Sequence, residues 1–114
     1  MNTDCLFCQI AAGQAPARIV FQDDQILAFR DIHPVAPAHV LIVPRKHIEN
    51  VTGAEPGDAI LLGKMLLAAA EIAEQEGVQD GYRLVVNNGV QSGQAVFHLH
   101  LHLLGGRSMG WPPG

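Results

Sequence analysis

Apolar and polar positions along the chain divide it into several short runs and one long one. Across residues 56–76, Ile60, Leu62, Met65, Leu66, Ala69, Ile72 and Ala73 follow the three-and-four spacing of a helix with one buried face. Pro56 suits the first turn, where a missing N–H costs nothing, and Gly77 suits the position after the last turn. Leu61, Leu67 and Ala70 widen the apolar stripe beyond what one core needs, so part of it is expected to face a second subunit. The remaining runs are shorter and rich in β-branched residues. Residues 17–21 and 25–31 flank the polar Gln22-Asp23-Asp24 and predict a hairpin. Val40-Leu41-Ile42-Val43, ended by Pro44, predicts a central strand buried on both faces. Residues 82–87 and 96–104 predict two more strands. Residues 4–12, with Cys5, Leu6, Phe7, Cys8 and Ile10 before Gly13, suit a short N-terminal helix. Strands gathered around one long helix predict an α+β fold with a mostly antiparallel sheet, formed by residues 1–114 as a single domain.

Composition narrows the function. With 114 residues, 48% of them apolar and 16% charged, the chain can build a core and is not disordered. Its longest unbroken apolar run, residues 65–70, is far short of the roughly 18 residues that span a bilayer. The first basic residue is Arg18, so no positive stretch of a targeting segment opens the sequence, and a cytoplasmic location is expected. Seven basic against eleven acidic side chains give a net charge of −4 and argue against nucleic acid as a partner, and no membrane partner is expected. Six histidines are many for such a chain.

Three of them stand in His98-Leu99-His100-Leu101-His102-Leu103-Leu104. On a strand, a period of two places the histidines on one face and the leucines on the other. Three readings follow. The run can be a solvated face that happens to be histidine, or a catalytic zinc site built from imidazoles two residues apart. It can also be a nucleophile with supporting imidazoles, since a neutral imidazole can attack phosphorus while a neighbour handles a proton.

HLHLHLL resembles the signature of the histidine triad family. The following Gly105-Gly106-Arg107 and Gly110-Trp111-Pro112-Pro113-Gly114 are similar to the tail of its Hint branch, the histidine triad nucleotide-binding proteins. Ala28-Phe29-Arg30-Asp31-Ile32, Pro37-Ala38-His39, Val43-Pro44-Arg45-Lys46-His47-Ile48 and Gly81-Tyr82-Arg83-Leu84-Val85-Val86-Asn87 resemble Hint segments in the same order. The resemblance covers nearly the whole chain. It implies a purine nucleoside phosphoramidase, or a nucleotide-binding relative, built as a homodimer that shares a continuous sheet.

Carried over residue by residue, the resemblance makes His100 the nucleophile at the α-phosphorus, with a nucleotidyl-histidine as product. His102 and His39 match the histidines around the phosphate, and Asn87 the site asparagine. Asp31 matches the ribose carboxylate, a sensible role because a carboxylate can accept two O–H bonds from a vicinal diol. Leu6, Phe7, Ile10, Phe29 and Ile32 match the apolar slot for the base. Backbone N–H groups near Gly93 and Val96 are expected at the phosphate, and Trp111 is expected to reach toward the partner subunit's site. His33 is expected to be solvated in its loop. One departure stands out: many Hint proteins carry serine where this chain has Ala95 in Gly93-Gln94-Ala95-Val96, so a hydroxyl donor to phosphate or leaving group is missing. A dinucleoside polyphosphate hydrolase of the Fhit-like branch fits the Gly-Gly-Arg and Trp-Pro-Pro-Gly ending poorly.

Cys5 and Cys8 form a C-x-x-C that by itself can be half a zinc site, a redox pair or two buried small residues. Some bacterial-type Hint relatives carry the same pair, with one histidine after the Pro-Arg-Lys turn and another opening the triad, and bind zinc there. The resemblance therefore implies a zinc held by Cys5, Cys8, His47 and His98. Four protein ligands fill a tetrahedral shell, so such a zinc is structural.

Overall fold

The computed structural model describes residues 4–114; the first three residues of the expected domain lie outside the description. In chain order the elements are α1 (Leu6–Ala11), β1 (Ile19–Gln22), β2 (Ile26–Arg30), β3 (Ala38–Pro44), α2 (Ala59–Gln75), β4 (Tyr82–Val85) and β5 (Leu101–Gly105), with 3-10 turns at Pro56–Asp58 and Val90–Ser92. The strands form one antiparallel sheet in the order β1-β2-β3-β5-β4, the α+β architecture expected from the sequence. Among the described residues no helix is long and apolar enough to cross a membrane.

The hairpin turns where the polar triplet stands. Asp23 Oδ1 accepts the N–H groups of Gln25 at 2.8 Å and Ile26 at 2.7 Å, closing the turn with a side chain. All seven residues of β3 are buried, as a strand covered on both faces requires. On one face Ile26, Ala28, Val40, Ile42, Leu101 and Leu103 meet Met65, Ala68, Ala69, Ile72 and Ala73 of α2. The three alanines let the helix lie close to the sheet. Truncating Ile72 to alanine at this wholly buried position is a loss of about 2–5 kcal/mol. On the other face Leu27, Phe29, Leu41 and Val43 meet Phe7, Cys8 and Ile10 of α1. A six-residue helix is too short to persist by its own hydrogen bonds, so α1 exists because this face holds it.

Charged groups fasten the ends of α2. Asp58 lies just before it, accepts the Glu55 N–H at 2.9 Å and pairs with Lys46 at 2.6 Å. At the far end Glu76 takes both Nη atoms of Arg30, a fork-to-fork contact between helix and β2. Gly77 follows with φ +73°, a left-handed turn that stops the helix as expected and that a side chain would strain.

Two strands are shorter than the sequence predicts. β4 ends at Val85 rather than at residue 87, and β5 begins at Leu101 rather than at residue 96. For β5 the reason lies in β3, which would have to pair with the missing stretch. Its Pro44 has no N–H to give, and its carbonyl is taken by the His98 ring at 2.7 Å, so the ladder stops at Ile42 opposite Leu101. The alternation nevertheless continues upstream: Leu99 joins the α2 core while the rings of His98 and His100 meet Phe7 of α1.

Candidate active site and metal cluster

The α1 side of the sheet gathers two groups of side chains that hydrogen-bond in different ways. The first consists of Cys5, Cys8, His47 and His98, whose ligand atoms all lie within 4.8 Å of one another. Cys5 caps α1, its Sγ accepting the Cys8 N–H at 3.3 Å, so the helix start itself aims both sulfurs at one point. No disulfide joins them. His98 is wholly buried. Its Nε2–H can only donate to the Pro44 carbonyl, which leaves the Nδ1 lone pair facing the Sγ atoms of Cys5 at 3.2 Å and Cys8 at 3.5 Å. His47 Nδ1 closes the cluster at 3.4 Å from Cys8 Sγ. Burial holds the His98 ring below the usual imidazole range, partly opposed by the Pro44 carbonyl, and neutral imidazole is the metal-binding form. Two sulfurs, a lone pair fixed toward them by a carbonyl behind the ring, and a second imidazole make a donor set that fits one metal ion.

The second group, Asp31, His39 and His102, is just as close-packed and is built differently. The Val35 N–H donates to His39 Nδ1 at 3.1 Å, so the proton of a neutral His39 sits on Nε2. That proton lies between His102 Nδ1 at 2.9 Å and Asp31 Oδ2 at 3.3 Å. His102, accepting through Nδ1, carries its own proton on Nε2. A metal would need the His39 Nε2 lone pair and hence a proton on Nδ1, where the Val35 N–H already points. The group is therefore a hydrogen-bond relay rather than a cage. Burial pushes His102 down to about 4, helped by His100 and His39 and opposed by Asp31; burial lowers His39 as well, against the pull of Asp31. Both rings are neutral at pH 7.

His100 stands between the groups. Its Nδ1–H donates to the His98 carbonyl at 2.7 Å, which puts the lone pair on Nε2. A neutral imidazole with one nitrogen pinned to a carbonyl has its other nitrogen available as a nucleophile. The Phe7 ring meets it edge-on, centroids 5.1 Å apart, and meets Phe29 at 5.3 Å.

The structure brings together Phe7, Ile10 and Phe29 in one apolar cluster, with Val96 packed against it. Leu6 is half exposed and Ile32 is 83% exposed, so these two lie at the open edge. A hollow of about 380 Å³ opens beside Asp31, Ile32 and His39, and another of about 360 Å³ lies between Leu6, His47, Ala95 and Val96. Asp31 Oδ1 accepts the His33 N–H at 2.8 Å; the His33 side chain is exposed, as expected. Gly93 is exposed at the end of the second 3-10 turn, and Asn87 follows β4 by two residues. Trp111 is 82% exposed, far out on the tail, its ring 5.9 Å from the Arg83 guanidinium carbon.

Sequence reasoning missed two kinds of group. Gln94 is buried and ties the loop before the triad, accepting from Gly89 N–H at 2.7 Å and donating to the carbonyls of Glu49 and Val96. An amide between Gly93 and Ala95 was its only signal. The Val35 N–H is a backbone donor that no side-chain pattern announces.

Comparison with known proteins matches the fold. The HIT domain model matches residues 12–109. An uncharacterized HIT-like protein of Synechocystis is 51% identical over the full length of both chains. Among solved structures, a HIT family hydrolase from Legionella pneumophila Philadelphia 1 is 54% identical with a TM-score of 0.95, covering 96% of this chain and 99% of that one. A Zn-bound histidine triad family protein from Mycobacterium smegmatis is 30% identical with a TM-score of 0.79, covering 96% and 79%.

Proposed function

The chain belongs to the HIT domain family, and from that premise we propose that it is a Hint-branch hydrolase of purine nucleoside 5′-phosphoramidates and related adenylates. The observation that carries the reading is the His100 tautomer: Nδ1–H on the His98 carbonyl, lone pair on Nε2. Nε2 attacks the α-phosphorus and forms an N–P bond. The bond to the amine breaks, its electron pair leaving with the amine, which takes up a proton from solvent. Water then attacks the same phosphorus and gives up a proton to solvent, the N–P pair returns to His100, and the nucleoside monophosphate is released.

His102, neutral and protonated on Nε2, suits a hydrogen-bond donor to phosphoryl oxygen, with His39 holding it in that state. Asp31 receives the ribose hydroxyls, and the base lies against Leu6, Phe7, Ile10, Phe29 and Ile32. Asn87 and the N–H groups near Gly93 and Val96 complete the phosphate contacts, and Trp111 extends toward a partner subunit. A zinc ion on Cys5, Cys8, His47 and His98 would tie α1 to the triad segment and take no part in the chemistry. The apolar outer side of α2 and the free edge of β4 support a homodimer.

A second reading, a purine nucleotide-binding regulatory protein with incidental turnover, draws on Ala95, which offers no hydroxyl beside the phosphate loop. Mass spectrometry of enzyme quenched during turnover separates the two. A nucleotidyl adduct on His100 is expected, and His100→Ala should lower kcat/KM by at least ~10³-fold while AMP binding stays within a few-fold. An adduct on another residue, or an active His100→Ala protein, would sink this mechanism.

A further inference from the structure

Gly105-Gly106-Arg107 follow the triad directly and have no part in the chemistry above. Their packing gives them one. Gly106 has φ +91°, and a Cβ there would lie 2.9 Å from Pro37 Cβ and 3.2 Å from its Cγ. Only a glycine lets the chain leaving β5 rest on the loop that carries Pro34 to Pro37. One residue later, Arg107 Nε donates to the Val35 carbonyl at 2.9 Å, while its Nη1 bonds the Ser108 carbonyl at 3.2 Å. The N–H of that same Val35 is the donor to His39 Nδ1. Arg107 and His39 thus hold opposite sides of one residue.

We propose that the Gly106-Arg107 turn is a positioning element for His39 and His102: by pinning Val35, it keeps the Val35 N–H on His39 Nδ1 and thereby fixes the tautomers of both rings. The two neutral tautomers of an imidazole differ little in energy, so the Val35 N–H on Nδ1, together with the Asp31 carboxylate 3.3 Å from Nε2, decides between them. Without it, His39 can carry its proton on Nδ1, and its Nε2 then presents a lone pair. His102 Nδ1 must become the donor, and its own lone pair moves to Nε2. A phosphoryl oxygen arriving there would meet a lone pair where it needs a proton. Arg107 touches neither His39 nor His102, so its influence is positional.

The kinetic consequence rests on the phosphoramidase reading, whereas the tautomeric one does not. The full-length protein, labelled with ¹⁵N-histidine, is examined by long-range ¹H–¹⁵N correlation at pH 7.5 as wild type, Arg107→Ala and Arg107→Lys. Wild type should show His39 and His102 protonated on Nε2, and Arg107→Ala a mixture. With adenosine 5′-phosphoramidate, kcat of Arg107→Ala should fall about tenfold while KM and AMP affinity change less than about twofold. Arg107→Lys, which can still donate to the Val35 carbonyl, should restore most of both signals. An Arg107→Ala protein that keeps the wild-type tautomers overturns the proposal. So does parallel loss of melting temperature and AMP binding, which would mark Arg107 as a support of the fold. If the wild type fails to turn over the phosphoramidate, the functional reading falls while the spectra still decide this one.

Discussion

His98 faces two ways toward His100: its ring nitrogen points to the sulfurs of Cys5 and Cys8, and its carbonyl holds the Nδ1–H of His100 at 2.7 Å. Whatever fixes the His98 ring also fixes the backbone from which the proposed nucleophile takes its orientation. The candidate metal cluster and the candidate active site share a residue, although their donor atoms are separate.

Protein purified without chelator should therefore carry one zinc per chain, with Sγ–Zn distances near 2.3 Å. Metal analysis giving less than a tenth of an equivalent would count against it. Chelation should lower the melting temperature by about 5 °C or more, because an ion held by four preplaced ligands binds the folded chain more tightly than the unfolded one.

Asp31→Asn should weaken AMP by about 1–3 kcal/mol, the scale of a lost charge-assisted bond. Calorimetry with the 2′,3′-dideoxy analogue supplies the control, since that ligand lacks the hydroxyls and should scarcely notice the change. Equal weakening of both would place the carboxylate's effect elsewhere, most directly on His39, which lies 3.3 Å from Asp31 Oδ2.

The pH dependence of stability follows from the lowered His102. Above the ordinary imidazole value near 6.5 the ring is neutral folded and unfolded, and stability is unaffected. As pH falls from about 6.5 to about 4 the unfolded chain takes up a proton that the folded one refuses, so stability is lost across that window. The loss due to His102 is about 2–3 kcal/mol. Urea unfolding at pH 7.5 and 4.5 should show it, and His102→Gln should shrink the difference; an unchanged difference would assign the acid loss to other groups.

Leu67, one of the residues that widen the α2 stripe, is 73% exposed, and Ile60 and Leu66, expected on the buried face, are exposed as well because α2 meets the sheet through Met65, Ala68, Ala69, Ile72 and Ala73. Light scattering at micromolar concentration should give the mass of a dimer, and Leu67→Glu should shift it toward monomer. A wild-type monomer would leave that surface without its expected cover.

How far the sequence could be read depends on where each kind of information sits. The α2 helix and the buried β3 strand were legible because periodicity and apolar content act through the residues themselves. The His-Leu alternation likewise told which side of the sheet each ring would take, and Cys5 and Cys8 do meet His47 and His98. The early end of the β5 ladder was illegible from its own residues, because its cause is Pro44 in a neighbouring strand. Val35 was invisible for another reason: its contribution is an amide proton, which every residue but proline possesses. Arg107 lies 72 positions from the carbonyl it holds, a pairing that only the folded chain creates.

That kind of distance has its longest case in Cys5 and His98, which stand 93 residues apart in the chain. On a ribosome adding about 5–20 residues per second, the first sulfur is made some 5–20 seconds before the imidazole that will face it. Closing so large a loop also belongs among the slow, non-local events of folding. The two thiols must wait for that imidazole in a nascent chain that already carries the first hairpin, β3 and the long helix. The order of synthesis thus keeps the junction between the amino-terminal turn and the histidine run open until most of the chain has been made.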